Sequence, residues 1–364
     1  REMECIDDVF EYSKYLEAKV SVDDRALNQN VLLELHNLIC EHSQSIKSSN
    51  SSVENENIYE VLEIGAGIGA MCTRLLRNSY FQTINSLRYT LVDTKKSNLK
   101  SAKQRIIQWA DEESLHVIDT TSSNSDQTRD STQCSKISGS VKATGTGSVH
   151  QMSDQSESEV AVDEFVVMDR SREFRFRLVC GDAIEYAKQS QDQFELLIAA
   201  AFLDLVNIPE TLPILFNALK SNGIFYFPIN FDGVTHFSPQ ISPHFDSQVE
   251  NRFHALMDTT LDGKIVSQSK AGRFLAQYIP EAGGCITSFG SSAWTVAAGV
   301  DANYQHQEAY FLNCILHFIS DTVSPSNILD QEELNAYFAE RKQQISTGVL
   351  TYIAHNMDYV GHKR

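Results

Sequence analysis

The chain has 364 residues, 42% of them hydrophobic, enough for one large domain or for one domain carrying a cap. With 30 Lys and Arg against 48 Asp and Glu the net charge is −18, which argues against a basic footprint on nucleic acid or anionic lipid and is otherwise the charge of a soluble surface. The 7 cysteines (Cys5, Cys40, Cys72, Cys134, Cys180, Cys285, Cys314) are scattered without a C-x-x-C pair, so neither a zinc site nor a disulfide framework is supported. The expectation is a reducing, cytoplasmic setting with no metal centre. No apolar run approaches the roughly 18 residues of a membrane span, and the acidic N-terminus is unlike a basic signal region. The chain opens on Arg1 rather than Met, which leaves a longer native N-terminus open.

In chain order, residues 1–47 read as helical, with Val31, Leu32, Leu35, Leu38 and Ile39 at helix spacing and Ser21, Asp23 and Asp24 as start signals. After a polar break, Tyr59–Ile64 is a short apolar strand that runs into Gly65-Ala-Gly-Ile-Gly69 and a helix over Ala70–Leu76. Tyr89–Val92 is a second strand closed by Asp93, and a helix follows over Ser97–Trp109. Residues 119–159 turn to Ser, Thr, Asp, Gln and Gly with almost no large apolar side chains; such a stretch cannot offset its ordering entropy and reads as a disordered low-complexity insertion.

Strands are expected again at Phe165–Met168, Phe174–Cys180, Phe194–Ala199 and, after an Asn222-Gly223 turn, Ile224–Ile229, with a helix around Leu212–Leu219. Strands alternating with helices imply β-α-β units and an open parallel sheet covered on both faces. The last third is mixed: helices over His244–Met257, Arg273–Tyr278, Glu308–Ile319 and Gln331–Ile345, with strands over Ile286–Val296 and Val349–Tyr359. No internal repeat is visible.

The chemistry concentrates where the first strand meets the first helix, Glu63-Ile-Gly65-Ala66-Gly67-Ile-Gly69. Glycines there let the backbone turn tightly and approach a ligand without a Cβ in the way. Alone the signal is weak, since Gly65, Gly67 and Ala70 also satisfy the dinucleotide fingerprint G-x-G-x-x-G/A. Two further acids strengthen it. Asp93 closes the second strand, where a carboxylate can accept both hydroxyl hydrogens of a ribose. Asp182, in Cys180-Gly181-Asp182-Ala183, follows the third, where an adenine amine would need an acceptor.

In that order of motifs the sequence resembles the class I S-adenosylmethionine (SAM)-dependent methyltransferases over about residues 59–232. Glu63–Gly69 looks like motif I, Leu91-Val-Asp93 like motif II, Gly181-Asp182-Ala183 like motif III, Phe194–Ala199 with Ala200–Leu203 like the fourth-strand motif and Leu219–Phe227 like the fifth. Tyr15–Lys19, Asp23–Asn28, Phe202-Leu-Asp-Leu205 and Asn230-Phe-Asp-Gly233 also look like uncharacterised bacterial members. The resemblance implies a doubly wound, Rossmann-like α/β fold with a seven-stranded sheet whose sixth and seventh strands are antiparallel, SAM as cofactor, and a cofactor site built from Glu63, Gly65, Ala66, Gly67, Gly69, Asp93, Gly181, Asp182, Ala183, Ala199 and Phe202. It implies that Glu63 helps fix the amino-acid end of the cofactor.

The fourth strand ends in Ala199-Ala-Ala-Phe202 rather than in the Asp/Asn-Pro-Pro-Tyr/Phe signature of enzymes that methylate exocyclic base or glutamine nitrogens, which fits a small-molecule acceptor at N or O and no nucleic-acid partner. The expected acceptor loop leaves the fifth strand as Asn230–His236, with His236 as candidate base and Asn230 and Asp232 orienting the acceptor. A surface histidine and a turn at Gly233 are the competing accounts of the same residues. Tyr15, Lys19 and Arg25 are expected in an N-terminal lid over the cofactor or substrate, Arg273 is a weaker candidate for a substrate carboxylate, and His355 and Tyr310 read as core polar groups. The expected organisation is a helical lid over residues 1–57, a SAM-binding domain over 58–364 and a partial cap over 234–285. An NAD(P)-dependent oxidoreductase and a non-catalytic SAM-binding protein are the rival readings.

Overall fold

The computed structural model describes residues 11–49, 58–119, 161–169, 172–258 and 268–364. The expected low-complexity insertion lies outside the described residues, apart from Asp119, which closes a strand. The first two helices are α1 (Tyr12–Ala26) and α2 (Gln29–Ser49). Then come β1 (Tyr59–Ile64), α3 (Ala70–Arg77), β2 (Ser86–Asp93), α4 (Lys96–Glu112), a hairpin-like pair β3 (His116–Asp119) and β4 (Ala161–Asp169), β5 (Arg172–Cys180), α5 (Ala183–Lys188) and β6 (Phe194–Ala199). A 3₁₀ turn over Leu203–Leu205 leads to α6 (Ile208–Ala218), β7 (Leu219–Ser238), α7 (Pro243–Met257), α8 (Ala271–Glu281), β8 (Gly284–Ser291), β9 (Trp294–Val296), α9 (Glu308–Val323), α10 (Gln331–Ser346) and β10 (Thr351–Lys363).

The sheet runs β3-β4-β5-β2-β1-β6-β7-β10-β8, with β9 pairing β10 at one end. The five strands β5, β2, β1, β6 and β7 are parallel, which requires helical crossovers on both faces. Their sequences are accordingly near-continuous apolar runs: every residue of β6 is buried, and all but one of β1. The sheet has ten strands rather than seven: the expected run Phe165–Met168 lies in β4, antiparallel to β5, the expected run Ile286–Val296 divides into β8 and β9, and β3, antiparallel to β4 at the edge, is added. One expectation is corrected. β10 is antiparallel to both β7 and β8, so the sixth strand, β8, runs parallel to the main sheet and only the seventh is reversed.

One face of the sheet packs α2, α3 and α4 through Val31, Leu35, Met71, Leu75, Ile106 and Trp109. The other packs α5, α6 and α8 through Ala187, Leu212, Leu215, Leu275 and Ile279. A third core joins α1, α7, α9 and α10 to the far halves of β7 and β10 through Tyr15, Phe237, Phe311, Leu334 and Tyr352. The N-terminal segment is therefore divided: α2 belongs to the sheet, and α1 to a cap that also takes in α9 and α10. No helix among the described residues is long and apolar enough to cross a membrane.

Two backbone bends set the edge of the sheet where the parallel strands end. Ala201 sits at φ 48° and donates its N–H to Pro228 O at 3.0 Å. Ile229 sits at φ 58°, a strained conformation for a β-branched residue. Asp358 on β10, 0% exposed, holds it there by accepting the Ile229 N–H at 2.7 Å, and it also accepts the Asn28 N–H at 2.9 Å at the start of α2. Burial pushes the Asp358 carboxyl up to about 6 in spite of these bonds. Asp358→Ala leaves a buried and a part-buried donor without an acceptor, at about 1–3 kcal/mol each. Urea unfolding is expected to show a loss of about 2–6 kcal/mol, whereas Glu112→Ala, which removes an exposed partner of Arg77 at the end of α4, leaves stability nearly unchanged.

Candidate functional site

The turn after β1 takes three left-handed steps, Gly65 at φ 60°, Gly67 at φ 53° and Gly69 at φ 70°. At two of them the surroundings also exclude a side chain. A Cβ on Gly65 would lie 2.6 Å from the Phe202 ring, and one on Gly69 would lie 2.9 Å from the Ala102 methyl. At Gly67 the nearest atom is Leu16 Cδ1 on α1, 3.3 Å away. The turn is thus held between the loop after β6, α4 and α1.

Asp93 ties this turn to the next strand. Its Oδ2 accepts the Gly67 N–H at 2.8 Å, and its Oδ1 accepts the Lys95 N–H at 2.8 Å and Asn98 Nδ2 at 3.1 Å. Its backbone carbonyl accepts the Gly181 N–H at 3.1 Å, which brings the end of β5 alongside, while Ala66 N–H donates to Val92 O at 3.0 Å. Asp182 then caps α5, accepting Ile184 N–H at 2.8 Å and Glu185 N–H at 2.9 Å, both on Oδ1, and leads into the buried Ala183. Ala199 closes β6 fully buried, and Phe202 beyond it packs its ring on Gly65. Gly65–Gly69, Asp93, Gly181–Ala183 and Ala199–Phe202 therefore meet at one edge, the carboxyl ends of β1, β2, β5 and β6, where ligands bind in open α/β sheets.

Glu63 sits beneath the turn. It is 2% exposed and accepts the Tyr89 hydroxyl at 2.6 Å on Oε2; Arg74 and the Cys72 backbone N–H in the first turn of α3 also favour its anion. Burial outweighs all of these and raises its carboxyl to about 7. It supports the turn and the start of α3, whose N-cap, Gly69, offers no side chain.

The residues expected on the acceptor side lie along β7. Residues 230–236 are not a loop but the continuation of β7, paired with β10 as Asn230–Met357, Phe231–Asn356 and His236–Ile353. The polar Asn-Phe-Asp-Gly run reads as a turn, and two register shifts absorb it inside a strand instead. Asn230 donates Nδ2 to Phe227 O and Met357 O at 2.7 and 3.0 Å. Asp232 is occupied by the Arg273 backbone N–H and guanidinium and lies 3.2 Å from His355 Nδ1, which also accounts for Arg273 and His355. His236 is half-exposed, 3.7 Å from Glu250, whose own carboxyl is raised to about 7 by burial and by Asp246.

On α1 the division is similar. Tyr15 is packed against Phe311 and Phe318, and Arg25 binds Glu308 at 2.5 Å. The approach to the turn is made by Tyr12 and Leu16 instead. Burial raises the Tyr12 hydroxyl, and the charges of Asp93 and Asp204 raise it further, so the three groups share one neighbourhood. Lys95 places its ammonium 3.9 Å from the Tyr12 ring centroid. Lys19, one helical step on, forms a buried ion pair with Asp23 at 2.8 Å, and Asp23 in turn accepts Trp294 Nε1 at 2.9 Å. Sequence reasoning named Tyr15, Lys19 and Arg25 for this role and missed Tyr12 and Leu16, which share Lys19's face at i, i+4 and i+7. It also passed over Asp204.

The strand order settles the fold. It is an open, mainly parallel, Rossmann-like α/β sheet in which one reversed strand, β10, stands before β8. No protein-family model matches the chain, and no curated protein does. Among solved structures it is similar to a putative sarcosine dimethylglycine methyltransferase from Galdieria sulphuraria, at 10% identity over 89% of this chain and 84% of that one, with a TM-score of 0.32. It is similar to phosphoethanolamine N-methyltransferase 2 of Haemonchus contortus in complex with SAM, at 10% identity over 98% of this chain but only 60% of that one, TM-score 0.32. A third is geranyl diphosphate C-methyltransferase from Streptomyces coelicolor A3(2), at 8% identity over 92% and 83%, TM-score 0.35. Likenesses this loose carry no argument about what this chain does; its own geometry has to.

A carboxyl that holds its proton more tightly folded than unfolded makes stability fall as pH rises between the two values. For Glu63 that window runs from its ordinary 4.5 up to about 7. Glu63→Gln keeps an acceptor for Tyr89 and removes the titration. Its stability relative to wild type is expected to rise across that window, by on the order of 3 kcal/mol at most, in denaturation curves recorded from pH 4 to pH 8.

Proposed function

We propose that this chain is a SAM-dependent methyltransferase that acts on nitrogen or oxygen of a small molecule. The observation that carries the reading is the bond from Gly67 N–H to Asp93 Oδ2, which joins a bare left-handed turn to the acid ending the neighbouring parallel strand. The rival dinucleotide-binding reading expects an all-parallel order 3-2-1-4-5-6. Here an antiparallel strand, β10, stands between the fifth and sixth, which disfavours it.

The residues present fit an adenosyl group. A carboxylate oxygen carries two lone pairs, so Asp93 Oδ2, with one donor from Gly67, keeps one for a ribose hydroxyl. Asp182 uses only Oδ1 to cap α5, which leaves Oδ2 for an adenine amine at the rim. Phe202 and Leu16 supply apolar walls on either side of the turn. When bound, the cofactor supplies a sulfonium methyl group: the acceptor's lone pair forms the new bond to carbon, and the carbon–sulfur pair returns to sulfur.

The chain's own task is to align the acceptor and keep water out. α1 covers the turn with Tyr12 and Leu16, and the Lys19–Asp23 pair with the Trp294 indole fixes that helix over the site. Glu63 acts through the turn by holding α3 in place, and it favours positive charge in a ligand above it. The acidic surface and the lack of a Pro-Pro motif after β6 support a small acceptor over a nucleic acid.

Three measurements test the reading. Incubation with methyl-labelled SAM and a metabolite extract is expected to yield a labelled small molecule; cofactor binding with no labelled product would favour a non-catalytic SAM-binding protein. Gly67→Val puts a β-branched residue at φ 53° against Leu16 and is expected to abolish SAM binding in calorimetry. Asp93→Ala removes charge-assisted bonds and is expected to weaken SAM binding by about 1–3 kcal/mol. Unchanged affinity in both variants would remove the turn from the cofactor site.

A further inference from the structure

We propose that Asp204 is the proton acceptor of the reaction and faces the methyl acceptor, which therefore carries a hydroxyl or amine hydrogen. The inference rests on the methyltransferase reading above and deepens it.

Asp204 lies in the 3₁₀ turn directly after β6, two residues beyond the Phe202 ring that packs on Gly65. That turn is at the carboxyl edge of the sheet, on the same side as the glycine turn. Its Oδ1 is enclosed and has no hydrogen-bond partner among the described residues. A buried carboxylate oxygen without a donor is costly unless something else fills the role, and enzymes tolerate the cost where a ligand brings the donor. Asp232 and Asp358, by contrast, are each occupied by backbone N–H groups or cations, and Glu63 by Tyr89.

Three further placements describe the surroundings of Asp204. Its charge acts on the Tyr12 hydroxyl together with that of Asp93, so Tyr12 links the ribose side to the Asp204 side. Lys19 on the same face of α1 acts on Asp204 while its own ammonium is held by Asp23. The elements packed on the 3₁₀ turn bring Lys270, Arg273 and Asp232; of these, Arg273 and Asp232 neutralise each other. Burial raises the Asp204 carboxyl to about 6, against the opposing pull of its own backbone N–H and of Lys19. That value suits a group that takes a proton near neutral pH.

In the step itself the acceptor's O–H or N–H bond breaks, its electron pair stays on the acceptor atom, and the proton moves to the Asp204 carboxylate. A carboxylate acceptor would meet a like charge there, so the enclosed anion also selects against acidic acceptors.

The test needs no knowledge of the acceptor. Sinefungin carries an amine where SAM carries its transferable methyl, whereas S-adenosylhomocysteine carries nothing there. Both have the same adenosyl and amino-acid ends, so the ratio of their affinities reports on the acceptor side alone. In calorimetry with the full chain, wild type is expected to prefer sinefungin, and the preference to fall as pH drops below about 6 and Asp204 takes a proton. Asp204→Asn is expected to weaken sinefungin at least tenfold and S-adenosylhomocysteine less than twofold, with a ratio flat in pH.

A wild-type preference insensitive to both pH and the substitution would overturn the assignment of Asp204 and leave the cofactor site standing. Equal loss of both ligands in Asp204→Asn, with an unchanged thermal midpoint, would make Asp204 a cofactor-holding residue and overturn it too. Failure of either ligand to bind wild type would remove the methyltransferase reading together with this inference. The pH dependence is read on wild type, so the test survives a variant that folds poorly.

Discussion

The bond between Gly67 N–H and Asp93 Oδ2 constrains more of this protein than its length suggests. It can form only if the chain after β1 passes close to the end of β2, and that requires backbone in the left-handed region with no side chain in the gap. The same carboxylate fixes the entry to α4 through Lys95 and Asn98, and the Asp93 carbonyl draws in the start of the loop after β5. One acid thus sets the relative height of three strand ends. The shape of the edge where a ligand would lie follows from that height.

Four acids around this edge, three of them buried and Asp204 partly so, carry different burdens because their surroundings differ. Asp93 takes three donors, two of them backbone N–H groups. Glu63 has a phenol and a helix start to satisfy it, yet enclosure still lifts its carboxyl to about 7. Asp358 locks the strained Ile229 to the start of α2, a mechanical task. Asp204, alone of the four, keeps an enclosed oxygen without a donor, although its own backbone N–H and Lys19 favour its anion. Stability arguments explain the first three. The fourth is the one for which a part in the reaction is proposed.

The parallel half of the sheet was legible in the sequence because parallel strands buried on both faces must be written as unbroken apolar runs, and β6, Phe194–Ala199, is one. The glycine turn and Asp93 were legible for a similar reason: each is a residue type that the local backbone or a hydrogen-bond set demands. The cap was not. Tyr15 and Tyr12 are the same residue type three positions apart on α1, and only the packing of that helix against Phe311 and Phe318 decides that Tyr15 is core while Tyr12 faces Asp93. Nor could Arg25 be placed from its spacing, since its partner, Glu308, is far along the chain. Periodicity says which residues share a face but is silent about what that face meets.

The segment after the fifth strand shows the opposite failure, in which a clear local signal is overridden. Asn230-Phe-Asp-Gly233 has turn chemistry, yet β10 pairs with it on both sides of the glycine, and Gly233 takes φ 70° within the strand. The consequence reaches beyond secondary structure. Because β7 and β10 run on together past the sheet's edge, their far halves become the floor of the third core, on which α7, α9 and α10 settle and against which α1 is clamped. Had the chain turned at Gly233, α1 would have had no platform, and Tyr12, Leu16 and Lys19 would not stand over the glycine turn. Asn230, Asp232 and His236, expected to act on the acceptor, lie in this same extended strand pair.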